Sequence, residues 1–376
     1  MVMPAPTGSA VLGHLARWRD EPLELLEDGA TLGPAFGLRL WRRAVVGYSP
    51  QWNQLVLGDL ARFRSRGSLS QLSPYLHGGV VATDAPEHRG RRAELNPNFH
   101  RRAVTDLLAD RLGAAVKAEL PDGRFDAVAW SSAMVRRFLH ETFVGPSFPV
   151  DVLEHFLAPL DTPIPGPLLP RPIRVRRMER ALARTLRSPD PGTLAEHFTG
   201  LDNGVEEARV ALAAAYDTTA HAMSWALWEL AARPGLNTGE MTGEIVHETL
   251  RLYPSGWIGS RICAVDVDFA GHVLPAGRLV LYSPYLTHRS AELWPEPTAF
   301  RPERFREGTR PAWGYLPFAA GERMCLGSGL ATLMLRTTVA AFAGVPLRQV
   351  GGDPRPCGGL TLTPRGPLTL HRGEHR

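Results

Sequence analysis

Cysteine and lysine are the scarce residues of this chain. Three cysteines, Cys263, Cys325 and Cys357, are spread over 376 residues. They form no CxxC pair and fall far below the density of a disulfide scaffold, so a reducing cytoplasm is the expected setting. Lys117 is the single lysine among 42 basic residues, which reads as a chain-wide preference for arginine rather than a binding run. Net charge is only +4, and no basic stretch carries interleaved aromatics, so nucleic acid is not an expected partner. The N-terminal stretch also lacks the charged, apolar and small-residue succession of a secretory signal.

Long hydrophobic runs are missing too, with one exception. Val210 to Trp228 has the length of a membrane span,. However, Asp217, Thr218, Thr219, His221 and Ser224 occupy its middle, where ionisable groups in lipid are costly. A helix buried in protein is expected there and no transmembrane anchor, while peripheral contact with a membrane stays open.

What remains is a folded, mainly α chain. Two short runs, Ala35–Leu40 and Arg43–Tyr48, flank Trp41 and Arg42 and predict a hairpin. Residues 50–252 read as a helical body with Pro- or Gly-rich breaks at 74–81, 120–124, 163–172 and 233–243. Strands return over 261–283, a helix follows over 327–342, and Leu360–Thr363 with Leu368–His371 predict a terminal hairpin. The small β region thus falls at about 35–48, 261–283 and 359–371. No repeat or long linker divides the chain, so one unit over residues 1–376 is expected.

The sharpest segment is Phe318-Ala-Ala-Gly-Glu-Arg-Met-Cys-Leu-Gly327. A lone cysteine is ordinarily a small inert hydrophobe. Here Gly321 and Gly327 free the backbone around the sulfur, Arg323 brings a cation, and a helix begins at once, aiming N–H groups at it; all three favour a thiolate. On the central helix, Ala214 and Ala215 are small enough to let a flat cofactor approach, and Asp217-Thr218 is an acid–alcohol pair suited to bending the helix or carrying protons. Glu248 and Arg251 share a helix face at i, i+3.

With these residues the chain resembles the cytochrome P450 superfamily, the haem-thiolate monooxygenases, whose FxxGxRxCxG signature is met at every fixed position. The resemblance implies the cytochrome P450 fold, a single triangular-prism-like domain, mainly α with a small β region. It implies haem b (iron protoporphyrin IX) as cofactor with Cys325 as the iron ligand, its thiolate favouring O–O cleavage, and O₂ as cosubstrate. Phe318, Gly321, Arg323 and Gly327 would frame the haem against Ala214 and Ala215. His88, Arg92, Arg261 and Arg323 would hold the propionates, with Asp84-Ala-Pro-Glu87 as a capping box ahead of His88. Glu248, Arg251 and Arg304 match the family's buried triad. The departures are Ala215, where glycine is more usual, the bulky Tyr216, and the short connection 231–244.

Asp217 and Thr218 would relay protons, which favours a monooxygenase over a peroxide-driven peroxygenase or a non-catalytic haem protein on the same fold. The segments matching substrate-contact regions supply Leu72, Leu76, Trp257, Ile258 and Leu360, so the expected substrate is a bulky apolar terpenoid, carotenoid or fatty-acyl compound. Electrons are expected from a separate ferredoxin or flavodoxin with its reductase, docking near Arg89, Arg91, Arg101 and Arg102.

Overall fold

The computed structural model describes residues 3–68, 75–99, 102–161, 171–308 and 310–373. Its axis is one uninterrupted helix, Gly204–Ala232, which carries the apolar run and is buried by protein on most sides. Helices Ala127–Phe138, Pro172–Thr185, Thr242–Leu252 and Ser328–Ala341 pack against it. Local signals start several of these helices. Asp126 caps Ala127–Phe138 by accepting from Val128 N at 3.0 Å. Ser49, followed by Pro50, caps Pro50–Gly58 by accepting from Trp52 N at 3.2 Å, the usual side-chain answer to unpaired first-turn N–H groups. Among the described residues no helix is long and apolar enough to cross a membrane.

The hairpin Ala35–Arg39/Arg43–Gly47 forms as expected and joins Leu279–Tyr282, Gly259–Cys263 and Phe63–Arg64 in a five-stranded sheet. Alternation along these strands divides the side chains. Phe36, Leu38, Ala44 and Val46 enter one apolar cluster, while Ala35 and Val45 enter another with Trp52 and Phe63, as the two-residue period of a strand requires. The larger helical core lies beside them, and Tyr253 packs against both it and the first sheet cluster.

The expected terminal hairpin is corrected. Leu362–Pro364 pairs with Pro356–Gly358, whereas Leu368–Arg372 lies between Leu347–Gly352 and Gly123–Asp126 in a three-stranded sheet. The reason is burial in different places. Leu368 and Leu370 enter the helical core, but Leu362 enters the cluster beside the five-stranded sheet. Gly123–Asp126 starts inside the segment 120–124 that reads as a break, because only its distant partner makes it a strand. The short connection after the central helix holds a turn at Pro234–Leu236, and Asn237 bonds the far helix end through Gly344 N at 2.8 Å and Val345 O at 2.7 Å.

Gly47 is a point of close approach. A Cβ there would stand 2.3 Å from the Trp52 ring, and that ring is fixed by its own N–H donating to Leu281 O at 3.0 Å. Gly47→Ala is therefore expected to overpack the sheet and lower stability by ~1–3 kcal/mol; a denaturant midpoint equal to that of the parent chain would show that Trp52 moves freely.

Candidate active site

The Cys325 loop is closed by its own backbone. Cys325 N donates to Phe318 O at 2.9 Å and Met324 N to Gly321 O at 3.0 Å. Gly321 has φ +72°, and a Cβ there would lie 2.3 Å from Leu57 O, so this position needs glycine both for its backbone conformation and for its seat on helix Pro50–Gly58. Helix Ser328–Ala341 starts directly after Gly327. Burial pushes the Cys325 thiol upward, while the Gly327 N–H and the Arg92 charge pull it down. Of the three cysteines, Cys325 alone lines the large cavity; Cys263 is buried in the sheet, its thiol pushed up to about 11 by burial.

That cavity, about 400 Å³, lies between the Cys325 loop and the central helix and brings together Phe318, Arg323, Gly327, Ala214, Ala215 and Thr218. Its edge is strongly cationic. His88, Arg92, Arg261 and Arg323 all line it, and His88 Nδ1, Arg261 Nε and Arg323 Nε are buried without a hydrogen-bond partner. Burial first, then the charges of Arg323 and Arg92, push His88 down to about 4. Burial and Arg261 lower Arg323 to about 10.

Asp84 does not form the expected capping box. Its carboxylate accepts from Ser65 N at 2.6 Å, Arg66 N at 3.0 Å and Arg323 Nη2 at 3.0 Å, so it anchors a strand end and aims Arg323 instead of closing the helix at Glu87.

The acid–alcohol pair is divided between two spaces. Thr218 faces the large cavity, its hydroxyl donating to Ala214 O at 2.7 Å. Asp217, 4 % exposed, faces a separate crevice of about 290 Å³. There Thr361 Oγ1 donates to it at 2.8 Å and His221 Nδ1 lies 3.1 Å away. Adjacent helix residues point ~100° apart, and the helix runs on through the pair without a break. The bulky Tyr216 is not part of the cavity wall: its hydroxyl donates to Asp161 and Arg136 covers its ring at 5.0 Å.

Of the expected substrate contacts, Ile258 lines the cavity. Trp257 is turned away, donating to Gly359 O at 3.0 Å and packing on Trp18. Leu360 borders the Asp217 crevice, Leu76 is absent from the cavity wall, and Leu72 lies outside the described residues. Sequence reasoning missed the aromatic wall of Phe143 and Phe198, stacked at 5.4 Å, and the carboxylate of Glu207. No local pattern marks any of them.

Glu248 and Arg251 are fully buried and bidentate, at 2.7 and 2.8 Å. Arg304 Nε adds a contact of 3.1 Å and Arg301 N one of 2.8 Å to Glu248. Of the arginines expected to dock a redox protein, Arg89 is exposed and paired with Glu322. Arg91 is mostly buried against Glu207 and Gly78 O, which removes it from any docking face. Arg101 and the Arg102 side chain lie outside the described residues.

A cavity with a cysteine in one wall and buried, unpartnered nitrogens at its edge has the donor set that a haem-thiolate site needs, and it fits a cofactor carrying two carboxylates. The cytochrome P450 family model matches residues 236–342. The cyclooctat-9-en-7-ol 5-monooxygenase of Streptomyces melanosporofaciens is 28% identical over 97% of this chain and 94% of its own. A putative cytochrome P450 139 of Mycobacterium tuberculosis is 28% identical over 72% of this chain and 77% of its own. Among solved structures, CYP175A1 from Thermus thermophilus superposes with TM-score 0.79 at 26% identity, covering 94% of this chain and 96% of that one. Retinoic acid-bound cyanobacterial CYP120A1 does so with TM-score 0.85 at 19% identity, covering 99% and 100%. The chain belongs to the cytochrome P450 superfamily and is a haem-iron monooxygenase.

Removing one partner of a buried ion pair strands the other charge at a cost of ~3–5 kcal/mol. Glu248→Ala is expected to lose stability on that scale and to purify with little haem; a wild-type melting temperature would mean that Arg251 finds compensation elsewhere.

Proposed function

We propose that the chain is a haem b monooxygenase with Cys325 as the axial ligand, acting on a bulky, terpenoid-like apolar substrate. The observation that carries this is the cavity itself, with Cys325 in one wall and three buried, unpartnered nitrogens at its edge. His88, Arg92, Arg261 and Arg323 would hold the two propionates. Phe318, Gly321 and Gly327 shape the loop around the sulfur, and Ala214 and Ala215 leave room for the flat ring. Haem, when bound there, supplies reductive O₂ activation, with thiolate donation favouring O–O cleavage. We further take residues 1–376 to form one functional domain.

The chain's own residues then manage protons and water. Thr218 presents a hydroxyl inside the cavity and holds a proton there. Asp217 stands on the far side of the helix turn, facing the crevice with His221 and Thr361, and draws protons from that side. Transfer between the two requires the Asp217 side chain to turn or a water to bridge them. The remaining cavity wall, with Val80, Val210, Ile258 and the Phe143–Phe198 pair, excludes water and favours an apolar ligand, since a buried charge without partners is costly. Streptomyces cyclooctat-9-en-7-ol 5-monooxygenase, similar over nearly the whole chain, supports a terpenoid-like substrate. Electrons come from a ferredoxin or flavodoxin with its reductase.

Two variants test these roles. Cys325→Ser should lose the thiolate-type ferrous carbonyl spectrum; its persistence there, with loss in Cys357→Ser, would reassign the ligand. Thr218→Ala should keep that spectrum but return several-fold less product per NADPH, the electrons going to peroxide. The Thr218 role is falsified if product yield per NADPH is unchanged.

A further inference from the structure

One cavity residue has no part in that chemistry. Glu207, 5 % exposed, is the only carboxylate lining the cavity among the described residues. Both its oxygens accept from Val80 N, at 3.0 and 3.1 Å, and Oε1 also takes Arg91 Nη2. Oε2 therefore keeps an unused lone pair. Arg91 is not in the cavity wall, so it neutralises the carboxylate from behind while the cavity side stays open.

Glu207 and Thr218 lie on one stripe of the central helix, with Ala211, Ala214 and Ala215 between them, all lining the cavity. At 1.5 Å of rise per residue the stripe is ~16 Å long. It is polar at its two ends and apolar between.

We propose that Glu207 is a specificity-determining residue that accepts a hydrogen bond from a hydroxyl at the far end of an isoprenoid-like substrate, whose oxidised carbon sits ~16 Å away beside Thr218. The proposal rests on the monooxygenase reading above. Three alternatives for that end are disfavoured by the same carboxylate. A hydrocarbon end would shut a carboxylate oxygen away from water with an unmet lone pair. A carboxylate end, as in a free fatty acid, would meet like charge in a site of low polarity. An ammonium would find the charge of Glu207 already matched by Arg91.

Spin-state titration of the haem-loaded full chain with farnesol, its methyl ether and farnesoic acid tests this. Farnesol is expected to bind about tenfold more tightly than the ether, as for a hydrogen bond to a charged acceptor, and farnesoic acid most weakly. Glu207→Gln keeps an acceptor for Val80 N–H, retains haem, and should narrow the advantage of the alcohol to about threefold or less. Equal affinities for alcohol and ether in the parent chain overturn the proposal, and that comparison needs no variant if Glu207→Gln fails to take up haem. An undiminished preference in Glu207→Gln overturns it as well, as does binding of farnesoic acid as tight as that of farnesol. Absence of a spin-state change with all three ligands overturns the apolar-substrate reading along with it.

Discussion

The buried pair of Glu248 and Arg251 is the constraint on which the placement of the site depends. Two charges taken fully out of water are a liability unless every donor and acceptor is met. Here they are met from outside the helix. Arg251 Nη1 donates to His288 O and Pro297 O, both at 2.7 Å, and Nη2 donates to Ala299 O at 3.1 Å. Glu248 in turn accepts from Arg301 N and Arg304. A stretch of chain with little regular structure thus has its backbone groups satisfied by one guanidinium and one carboxylate. His288 passes the constraint on. Its Nδ1–H donates to Arg251 O at 2.9 Å and its Nε2 accepts from Leu316 N at 2.7 Å, two residues before Phe318, where the Cys325 loop begins. Burial holds His288 down at about 3, so it stays neutral and keeps the one tautomer that both bonds need.

What was legible in the sequence is what short-range chemistry dictates. The Cys325 loop, the Glu248–Arg251 spacing and the central helix are written in residues a few positions apart, and each forms where its pattern places it. What was not legible depends on distant partners. Gly123–Asp126 becomes a strand only because Leu368–Arg372 lies beside it. Asp84 sits where a helix cap belongs, but Ser65, Arg66 and Arg323 claim its carboxylate. Trp257 reads as a pocket residue and instead closes the seam between Trp18 and Gly359. Adjacent residues such as Asp217 and Thr218 look like one functional pair in a linear reading, yet the helix turns them toward different spaces.

The fold treats its two arginine-rich sites in opposite ways, and this ties cofactor to stability. Around Glu248 every charge has internal compensation, so that region can hold its shape alone. Around the cavity edge it cannot. Arg92, Arg261, Arg323 and His88 crowd together with Asp84 as the carboxylate bonded to Arg323, and three of their nitrogens are buried and unpartnered. Repulsion among the three arginines and missing partners disfavour the cofactor-free chain there. A group bringing two carboxylates would supply both the charge and the acceptors. By linkage, whatever it gains on binding adds to the stability of the folded state. The uncompensated charge therefore stands where a ligand would complete it, and the self-sufficient pair holds the backbone leading into the cysteine loop without one.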